Sequence, residues 1–265
     1  MTVRRSLRGF ERREALRSLS ETEPILTVDD LAERFNVSQQ TMRRDLRHLV
    51  ASGEAVRTHG GAIVSPLPSL SIEAAFRTRQ NARSSSKVAI ARAALPLVTA
   101  GSTIVFDAST TVLALARILP RGIKLCAVVN SLPIALELLR RPRIETTMIG
   151  GSMRSTSLSA SGTLAERTLR RLYVETAFIS VRGLSLERGL SESNPSEAGL
   201  KALMIANAAR VVALVDSSKL DQRALCKFAD VPTIDTLITD AQASPRLVDA
   251  IRECGVEVIV ASPEA

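Results

Sequence analysis

The segment SQQTMRRDL, residues 38–46, carries side chains that hydrogen-bond well to the edges of DNA bases. An arginine donates two hydrogen bonds to guanine, a glutamine pairs in a similar way with adenine, and a threonine methyl group contacts that of thymine. These residue types at the start of a predicted helix favour base recognition in the major groove. The candidate DNA-contacting residues lie in this segment and just after it, and all are polar: Ser38, Gln39, Gln40, Thr41, Arg43, Arg44 and Arg47.

A second group of polar residues follows predicted β-strands in the remainder of the chain. Asp107 follows the apolar run STIVF, Asn130 follows KLCAVV, and Asp216 follows RVVALV. The carboxyl ends of parallel strands converge on one crevice, where ligands bind. Hydroxyls, backbone N–H groups and a lysine suit a phosphate there, while carboxylates and an amide suit sugar hydroxyls. The candidate ligand-binding residues are Asp107, Ser109, Thr110, Thr111, Asn130, Ser131, Gly150, Gly151, Lys201, Asp216, Ser218 and Lys219.

Each of these motifs also has a structural alternative. Serine and threonine after a strand commonly cap the next helix. The pair Gly150-Gly151 is typical of a turn at the end of a strand. Glu197 and Lys201 lie four residues apart on one predicted helix, so a surface ion pair is the alternative to a lysine that faces the ligand. We leave both interpretations open for each motif.

Short helices are predicted to position the first group. The segment TVDDLAERF spaces its apolar residues at i, i+3, i+4 and i+7, as an amphipathic helix does. Thr27 and Asp30 predict a capping arrangement at its start, and Ser38 predicts the cap of the next helix. That helix has Met42, Leu46, Leu49 and Val50 on its apolar side. Two helices joined by a tight turn predict a helix-turn-helix.

A hairpin is predicted to follow the second helix. The segment EAVRTHGGAIV alternates apolar and polar residues on either side of a turn at Gly60-Gly61. Such a hairpin after a helix-turn-helix is called a wing. Its residues Arg57 and His59 are candidates for contact with the phosphate backbone of DNA. The alternative is that the helix arginines form an ordinary solvated face, partly offset by Asp45. The preceding helix, the loop spacing and the hairpin together favour the DNA-binding interpretation.

Beyond the hairpin the pattern changes twice. Residues 65–86 contain two prolines and many serines without a clean period, which indicates a linker. Residues 87–262 then alternate strand-like runs with helices of about ten residues, which is typical of crossover units. We therefore predict a winged helix-turn-helix domain at 1–64, a linker at 65–86, and an α/β domain at 87–262. The α/β domain is expected to have a mostly parallel sheet with helices on both faces.

Composition narrows the class of protein further. The chain has 265 residues, 45% of them hydrophobic, and a net charge of +8. Residues 1–64 hold 11 Arg against 9 Asp and Glu, a net charge of only +2, so the placement of charge matters more than its sum. Three widely spaced cysteines suggest neither a disulfide framework nor a zinc site. No apolar run is long enough for a membrane span, so we expect a cytoplasmic protein.

Residues 38–62, SQQTMRRDLRHLVASGEAVRTHGGA, resemble the DNA-binding signature of the DeoR family of bacterial transcriptional regulators. The second half resembles that family's sensor domain, whose fold is similar to sugar-phosphate isomerases. DASTT at 107–111, VNS at 129–131, Gly150-Gly151, NPSEAGLKALMI from Asn194 and DSSK at 216–219 match family motifs. The departures are Ala108-Ser109 for Ser-Gly, Val129 for Thr, and Glu175 for Asp.

The resemblance and the residues together imply a regulator, in the first instance a repressor of a sugar or polyol catabolic operon. Its expected partners are double-stranded operator DNA, a phosphorylated sugar or polyol effector, and further copies of itself in a homodimer or homotetramer. No cofactor, metal or membrane is expected. One alternative is a sugar-phosphate isomerase-like enzyme with an accessory DNA-binding module. A protein that binds DNA without specificity is disfavoured, because so much of the chain forms the α/β domain.

Overall fold

The computed structural model describes residues 11, 12, 15, 16, 19, 26–51, 55–58, 61–64, 76 and 78–262. The chain divides into two compact units, with the boundary between Ala82 and Arg83. Among the described residues, no helix has the length and apolar character needed to cross a bilayer.

The first unit contains the predicted pair of helices. Helix α1 spans Val28–Arg34 and α2 spans Gln39–Ala51. The predicted capping arrangement at α1 is present, since the Thr27 side chain accepts from the Asp30 backbone N–H and the Asp30 carboxylate accepts from that of Thr27. Residues 11, 12, 15, 16 and 19 are also helical.

The core of this unit lies between these helical segments. The predicted apolar side of α2 is confirmed at Met42, Leu46 and Leu49, which are all buried. Leu31 of α1 and Leu16 pack into the same cluster. Burial of these aliphatic side chains fixes which face of α2 remains in solvent.

The predicted hairpin is formed by β2, Ala55–Thr58, and β3, Gly61–Val64. Gly61 pairs with Thr58 as the first residue of β3, whereas we predicted it in the turn. A third strand, β1 at Leu26–Thr27, pairs antiparallel with β3 and was not predicted. The hairpin is thus one part of a three-stranded sheet with strand order β1-β3-β2.

The second unit contains seven strands in one sheet. They are β4 at Thr103–Phe106, β5 at Leu125–Val129, β6 at Ile144–Met148, β9 at Val174–Ile179, β12 at Ala208–Leu214, β14 at Thr236–Asp240 and β15 at Glu257–Ala261. The order is β15-β14-β12-β9-β4-β5-β6, and every adjacent pair is parallel. The predicted parallel sheet is confirmed.

Helices connect these strands. They are α3 at Ser84–Ala94, α4 at Thr110–Ile118, α5 at Leu132–Leu138, α6 at Thr163–Leu169, α7 at Pro195–Ala206 and α8 at Pro245–Glu253. Helix α3 begins within the segment 65–86 that the sequence suggests as a linker, and residues 76 and 78–81 are helical as well.

The order in which the chain adds strands to the sheet changes direction at one place. From β4 the chain adds β5 and β6 on one side, then returns to add β9 on the other side of β4 and continues outward to β15. Ligands of open α/β sheets bind outside the carboxyl ends of the strands at such a switch point. In this unit the switch point lies between β4 and β9.

Two small antiparallel sheets were not predicted. Strands β7, Ser152–Arg154, and β8, Ser159–Ser161, form a hairpin. Strands β10, Gly183–Ser185, β11, Gly189–Glu192, and β13, Cys226–Ala229, form a three-stranded sheet. The hairpin follows β6, and the three-stranded sheet is built from segments that follow β9 and β12.

Candidate functional site

The polar side of α2 is exposed as predicted. Ser38 accepts a hydrogen bond from the Thr41 backbone N–H at 3.2 Å, so it caps the helix. Thr41 is half-buried, and the other six residues of the predicted set are exposed. One concavity is lined by Arg12, Gln40, Thr41, Arg44, Asp45, Arg47 and His48.

Hydrogen bonds within α2 hold two of its arginines. Arg43 donates from Nη2 to Gln39 Oε1 at 3.5 Å, and Arg47 donates from Nε to the Arg43 carbonyl oxygen at 3.2 Å. These contacts restrict the rotamers of two long side chains.

Asp45 does not offset the arginines at the surface, as the alternative of an ordinary solvated face supposed. It is buried, and its Oδ2 accepts a hydrogen bond from Arg12 Nε at 2.5 Å. Arg12 is 33 residues away in sequence and is also buried. The carboxylate therefore ties α2 to the preceding helical segment, and the exposed side of the helix is left entirely to neutral and cationic groups.

Of the two candidate residues in the wing, the structure describes only the backbone of Arg57. Arg57 lies in β2 and pairs with Ala62 of β3. Its side chain lies outside the described residues, and so does all of His59.

In the second unit, Asp107 lies at the switch point. It directly follows β4 and is almost fully buried. Its Oδ2 accepts from the backbone N–H of Ser180 at 3.0 Å and from the Lys201 ammonium at 2.9 Å. Ser180 directly follows β9, so this carboxylate joins the two strands on either side of the switch.

Lys201 is buried and has three acceptors. Besides Asp107, its ammonium donates to the Ser180 carbonyl oxygen at 2.6 Å and lies 3.1 Å from Glu192 Oε2. Burial opposes the charge of Lys201, but the two carboxylates outweigh it and raise the pKa of this lysine. Burial is the main cause that raises the pKa of Asp107, against the effect of Lys201. Lys201 thus fixes the position of Asp107.

The surface pair between Glu197 and Lys201, left open by the sequence, is not formed. Glu197 Oε1 instead accepts from the hydroxyls of Ser157 at 2.6 Å and Ser159 at 3.0 Å. Both serines belong to the unpredicted β7–β8 segment. The side chains of Lys201 and Glu197 therefore contact different partners.

Lys219 lies on the other side of Ser180. Its ammonium donates to the Ser180 hydroxyl at 3.1 Å and lies 3.6 Å from Asp216 Oδ2. Burial lowers the pKa of Lys219 to about 8; Asp216 partly offsets this, whereas other cations nearby lower it further. The pKa of Asp216 is lowered, because Lys219 and the Ser218 hydroxyl outweigh the effect of burial. Asp107, Lys201 and Lys219 thus all contact Ser180, and Asp216 joins this group through Lys219.

Asn130 lies beside Asp107. Phe106 pairs with Val129 in the parallel ladder, so the residues that follow these two emerge next to each other. Asn130 Nδ2 donates to the Ala160 carbonyl oxygen of β8 at 3.1 Å. Among the described residues, five side-chain oxygens are buried without a hydrogen-bond partner, and three of them belong to residues that follow β4 and β5: Asn130 Oδ1, Asp107 Oδ1 and Thr111 Oγ1. Buried oxygens of this kind are normally satisfied, so these three favour a site for donors from outside the chain.

The hydroxyl residues of the two loops differ in whether they cap the helix that follows. Ser109 caps α4, since its Oγ accepts from the Val112 backbone N–H at 3.0 Å. Ser131 precedes α5 and makes no side-chain cap, and it forms a bridge with Ser159 of β8. Thr110 is the first residue of α4 and is half-buried. The capping alternative therefore holds for Ser109 and not for Ser131.

The two glycines after β6 differ from each other. A Cβ atom on Gly151 would lie 2.6 Å from the Ser161 carbonyl oxygen, and its φ of +148° disfavours any other residue. Gly151 is required for the close approach of β8, which is a structural role. Gly150 is exposed and has open space where a Cβ would be.

Sequence reasoning missed Ser180 and Glu192. Ser180 follows a strand in the same way as Asp107, so the rule applied to three other strands would have found it. Glu192 ends β11, a short strand with no periodic signal, and nothing in the sequence points to its contact with Lys201. In the part of the chain that the structure describes, no cluster of His, Cys, Asp and Glu could hold a metal ion.

Comparison with known proteins matches both units to one family. Residues 12–66 match the DeoR-like helix-turn-helix domain, and residues 82–241 match the DeoR C terminal sensor domain. The repressor CsqR of Escherichia coli K12 is 30% identical, with 98% of each chain covered. The L-fucose operon activator of Haemophilus influenzae is 32% identical over 81% of this chain and 85% of its own.

Ribose 5-phosphate isomerase A of Methanocaldococcus jannaschii is 18% identical, with a TM-score of 0.38 over 51% of this chain and 53% of that chain. The matching family, CsqR and the L-fucose operon activator are all transcriptional regulators. The alternative of an isomerase-like enzyme is therefore excluded. The chain belongs to the DeoR family and is a DNA-binding transcriptional regulator, not an enzyme.

Proposed function

We propose that this regulator represses a sugar or polyol catabolic operon and that a phosphorylated sugar or polyol binds at the switch point of its sensor sheet. The observation that carries the proposal is the position of Lys219. Its desolvated ammonium lies next to Ser180, while the unpaired Oδ1 atoms of Asp107 and Asn130 belong to neighbouring strand ends. A phosphate supplies the counter-charge for the lysine, and sugar hydroxyls donate to the two oxygens.

The charge around Lys219 also favours an anion. Apart from Asp216, the charged groups that act on its pKa are Lys201, Lys87 and Arg182, and each of them opposes a further positive charge. A dianionic phosphate relieves that repulsion. Ser218, Thr110, Thr111, Ser131 and Gly150 complete the proposed set on the surrounding loops. Lys201 acts indirectly, because its three acceptors all belong to the chain itself.

For the first unit, we propose that α2 enters the major groove and that its N-terminal half reads bases. Gln39, Gln40, Arg43 and Arg44 are exposed there, with the side chain of Asp45 turned inward. Arg57 and His59 are proposed as contacts to the phosphate backbone from the wing.

We also propose that the protein binds DNA as a homodimer or homotetramer. One recognition helix contacts only a few base pairs, so two helices separated by about 34 Å or a multiple of it are needed to select an operator. Because operator DNA is the partner, the cytoplasm is the compartment that we propose.

A ligand screen on the full chain tests the proposal. Glucose 6-phosphate, ribose 5-phosphate, fructose 1-phosphate, glycerol 3-phosphate and inorganic phosphate are each added, and the thermal transition is recorded. A ligand that binds the folded state raises the transition temperature. The unphosphorylated sugars are the controls, and we expect them to give no shift.

Variants then locate the site. We expect Lys219→Ala and Thr110→Val to abolish the effect of the active compound on operator binding, while binding without the compound persists. Lys124→Ala is the matched control, because Lys124 is an exposed lysine that precedes β5 and so lies at the opposite end of the strands. Turnover of a sugar phosphate, or an unaltered response in both site variants, would contradict the proposal.

A further inference from the structure

Arg83 occupies an unusual place in the chain. It is the first residue of the second unit and directly precedes helix α3. Its φ of 51° and ψ of 41° are left-handed, and only four described residues other than glycine have a positive φ. A side chain with a Cβ atom disfavours this region, so the surroundings must hold the residue there.

Two hydrogen bonds hold the Arg83 side chain. Its Nη1 donates to the Ser217 hydroxyl at 3.1 Å and to Gln242 Oε1 at 3.1 Å. Both acceptors are themselves tied to Asp240 at the end of β14, because the Ser217 backbone N–H donates to Oδ2 at 2.8 Å and that of Gln242 to Oδ1 at 3.0 Å. Asp240 is buried, so this group has a fixed base in the sheet.

The same group reaches the proposed effector site through one short turn. Ser217 begins the single 3-10 turn Ser217–Lys219, which ends with the lysine proposed to hold phosphate. The Asp216 carboxylate accepts from the Ser218 backbone N–H at 3.3 Å and lies 3.6 Å from the Lys219 ammonium. Ser217 and Lys219 therefore belong to one short turn, so a shift of its backbone moves both residues together.

Helix α3 is joined to Arg83 by its backbone. The Lys87 backbone N–H donates to the Arg83 carbonyl oxygen at 3.1 Å, which closes the first turn of the helix. The charges of Arg83 and Lys87 both act on Asp216 and lower its pKa. A change of charge next to Lys219 is therefore felt at the start of α3 by electrostatics as well as by contact.

We propose that Arg83 is the positioning residue that couples the effector site to the chain segment leading to the DNA-binding domain. This inference rests on the proposed function. When an anion binds Lys219, the Ser217–Lys219 turn shifts, and the two hydrogen bonds of Arg83 are strengthened or released. The backbone at Arg83 then gains or loses the support that holds it in the left-handed conformation. Such a ligand-dependent change supplies the two states that any coupling requires.

Three variants separate the parts of this device. Arg83→Gly removes the side-chain link and leaves a residue that adopts the left-handed conformation readily. Ser217→Ala removes only the hydroxyl acceptor on the turn. Arg246→Ala is the matched control, since Arg246 is an exposed arginine of the same unit at the start of α8.

The experiment measures two affinities for each full-length variant. One is the affinity for the compound that gives the largest thermal shift in the panel above, measured by calorimetry. The other is the affinity for an operator selected with the wild-type protein from random DNA, measured with and without that compound. We expect Arg83→Gly and Ser217→Ala to reduce the compound's effect on DNA affinity at least fivefold. Their affinity for the compound, and for DNA without it, should stay within about twofold of wild type.

The outcomes are distinct. An undiminished effect of the compound in both variants overturns the role of Arg83 and leaves the effector site standing. Parallel loss of compound binding also overturns it, since Arg83 would then belong to the site itself. If no phosphorylated compound binds the wild-type protein, the proposed function fails first. Should Arg83→Gly fail to fold, Ser217→Ala decides alone.

Discussion

Arg12 and Asp45 form a buried ion pair that ties the recognition helix to the helical segment before it, with 2.5 Å between Nε and Oδ2. The side chains are 8% and 5% exposed, so the pair is shielded from water and salt. A buried charge that loses its partner is costly, whereas an exposed pair contributes little. This contact sets how α2 projects from its unit.

The first prediction follows from that pair. Asp45→Ala should lower the free energy of unfolding of the first unit by about 3 kcal/mol, because the Arg12 guanidinium is left buried without its carboxylate. Urea unfolding of the full chain measures this as an earlier transition of one unit. Arg44→Ala, an exposed neighbour, should leave that transition in place; equal effects of both changes would show that Asp45 has no special role.

The second prediction concerns the division of work on DNA. Arg43→Ala or Arg44→Ala should weaken operator binding by about 1 to 3 kcal/mol and relax sequence preference, because a base contact is lost. Arg57→Ala should weaken all sequences alike and reduce the salt dependence, as loss of a phosphate contact does. Binding is measured on operator and scrambled DNA at several salt concentrations. Equal losses on both DNAs for all three variants would contradict these roles.

The third prediction concerns pH. The pKa of Lys219 is lowered to about 8 by burial, so the ammonium is charged below that pH and neutral above it. A phosphate ester becomes a dianion above about pH 6. Effector affinity should therefore peak between about pH 7 and 8 and fall as the pH rises further, which calorimetry at several pH values measures.

Lys219→Arg is the control for this pH dependence. The guanidinium stays charged at all these pH values. If the Lys219→Arg variant binds the effector, its affinity should not fall above about pH 8. A fall of equal size in both proteins would mean that another group titrates.

The fourth prediction tests Lys201 as the residue that fixes Asp107. Lys201→Met leaves the buried carboxylates of Asp107 and Glu192 without their cation and should cost about 3 kcal/mol of stability in the second unit. The cost should shrink at lower pH, where the carboxylates can take up protons and become neutral. Urea unfolding at pH 5 and pH 8 measures both effects.

Lys227→Met is the matched control for that change. Lys227 pairs with Asp230, but the two side chains are 52% and 70% exposed. Its loss should change stability by less than about 1 kcal/mol at either pH. A similarly small effect of Lys201→Met would show that its ion pairs contribute nothing to the unit.

The fifth prediction concerns assembly. The protein should protect two half-sites on DNA, with centres about one helical turn or a multiple apart. Sedimentation and footprinting at the same protein concentration measure the oligomer and the protected length. A monomer that protects a single short site would contradict the proposed dimer or tetramer.

The sequence by itself determined the parts of this protein that depend on local rules. Apolar runs that alternate with helical periodicity specified the parallel sheet, and Thr27 and Ser38 marked helix starts because capping involves residues only three apart. The polar end of α2 was also predictable, since helical spacing alone separates its two faces. Strand-end position further predicted that Asp107 and Lys219 lie near one point.

Only the tertiary structure decided which partner each charged residue takes. Helical spacing allows Lys201 to reach Glu197, yet it pairs with Asp107, 94 residues earlier, because α7 packs against strand ends that offer buried oxygens. Asp45 likewise turns inward because Arg12 is brought beside it. The strands β7 and β8 have three residues each, too few for a period to be visible. Such contacts follow from packing between distant segments, which no local pattern records.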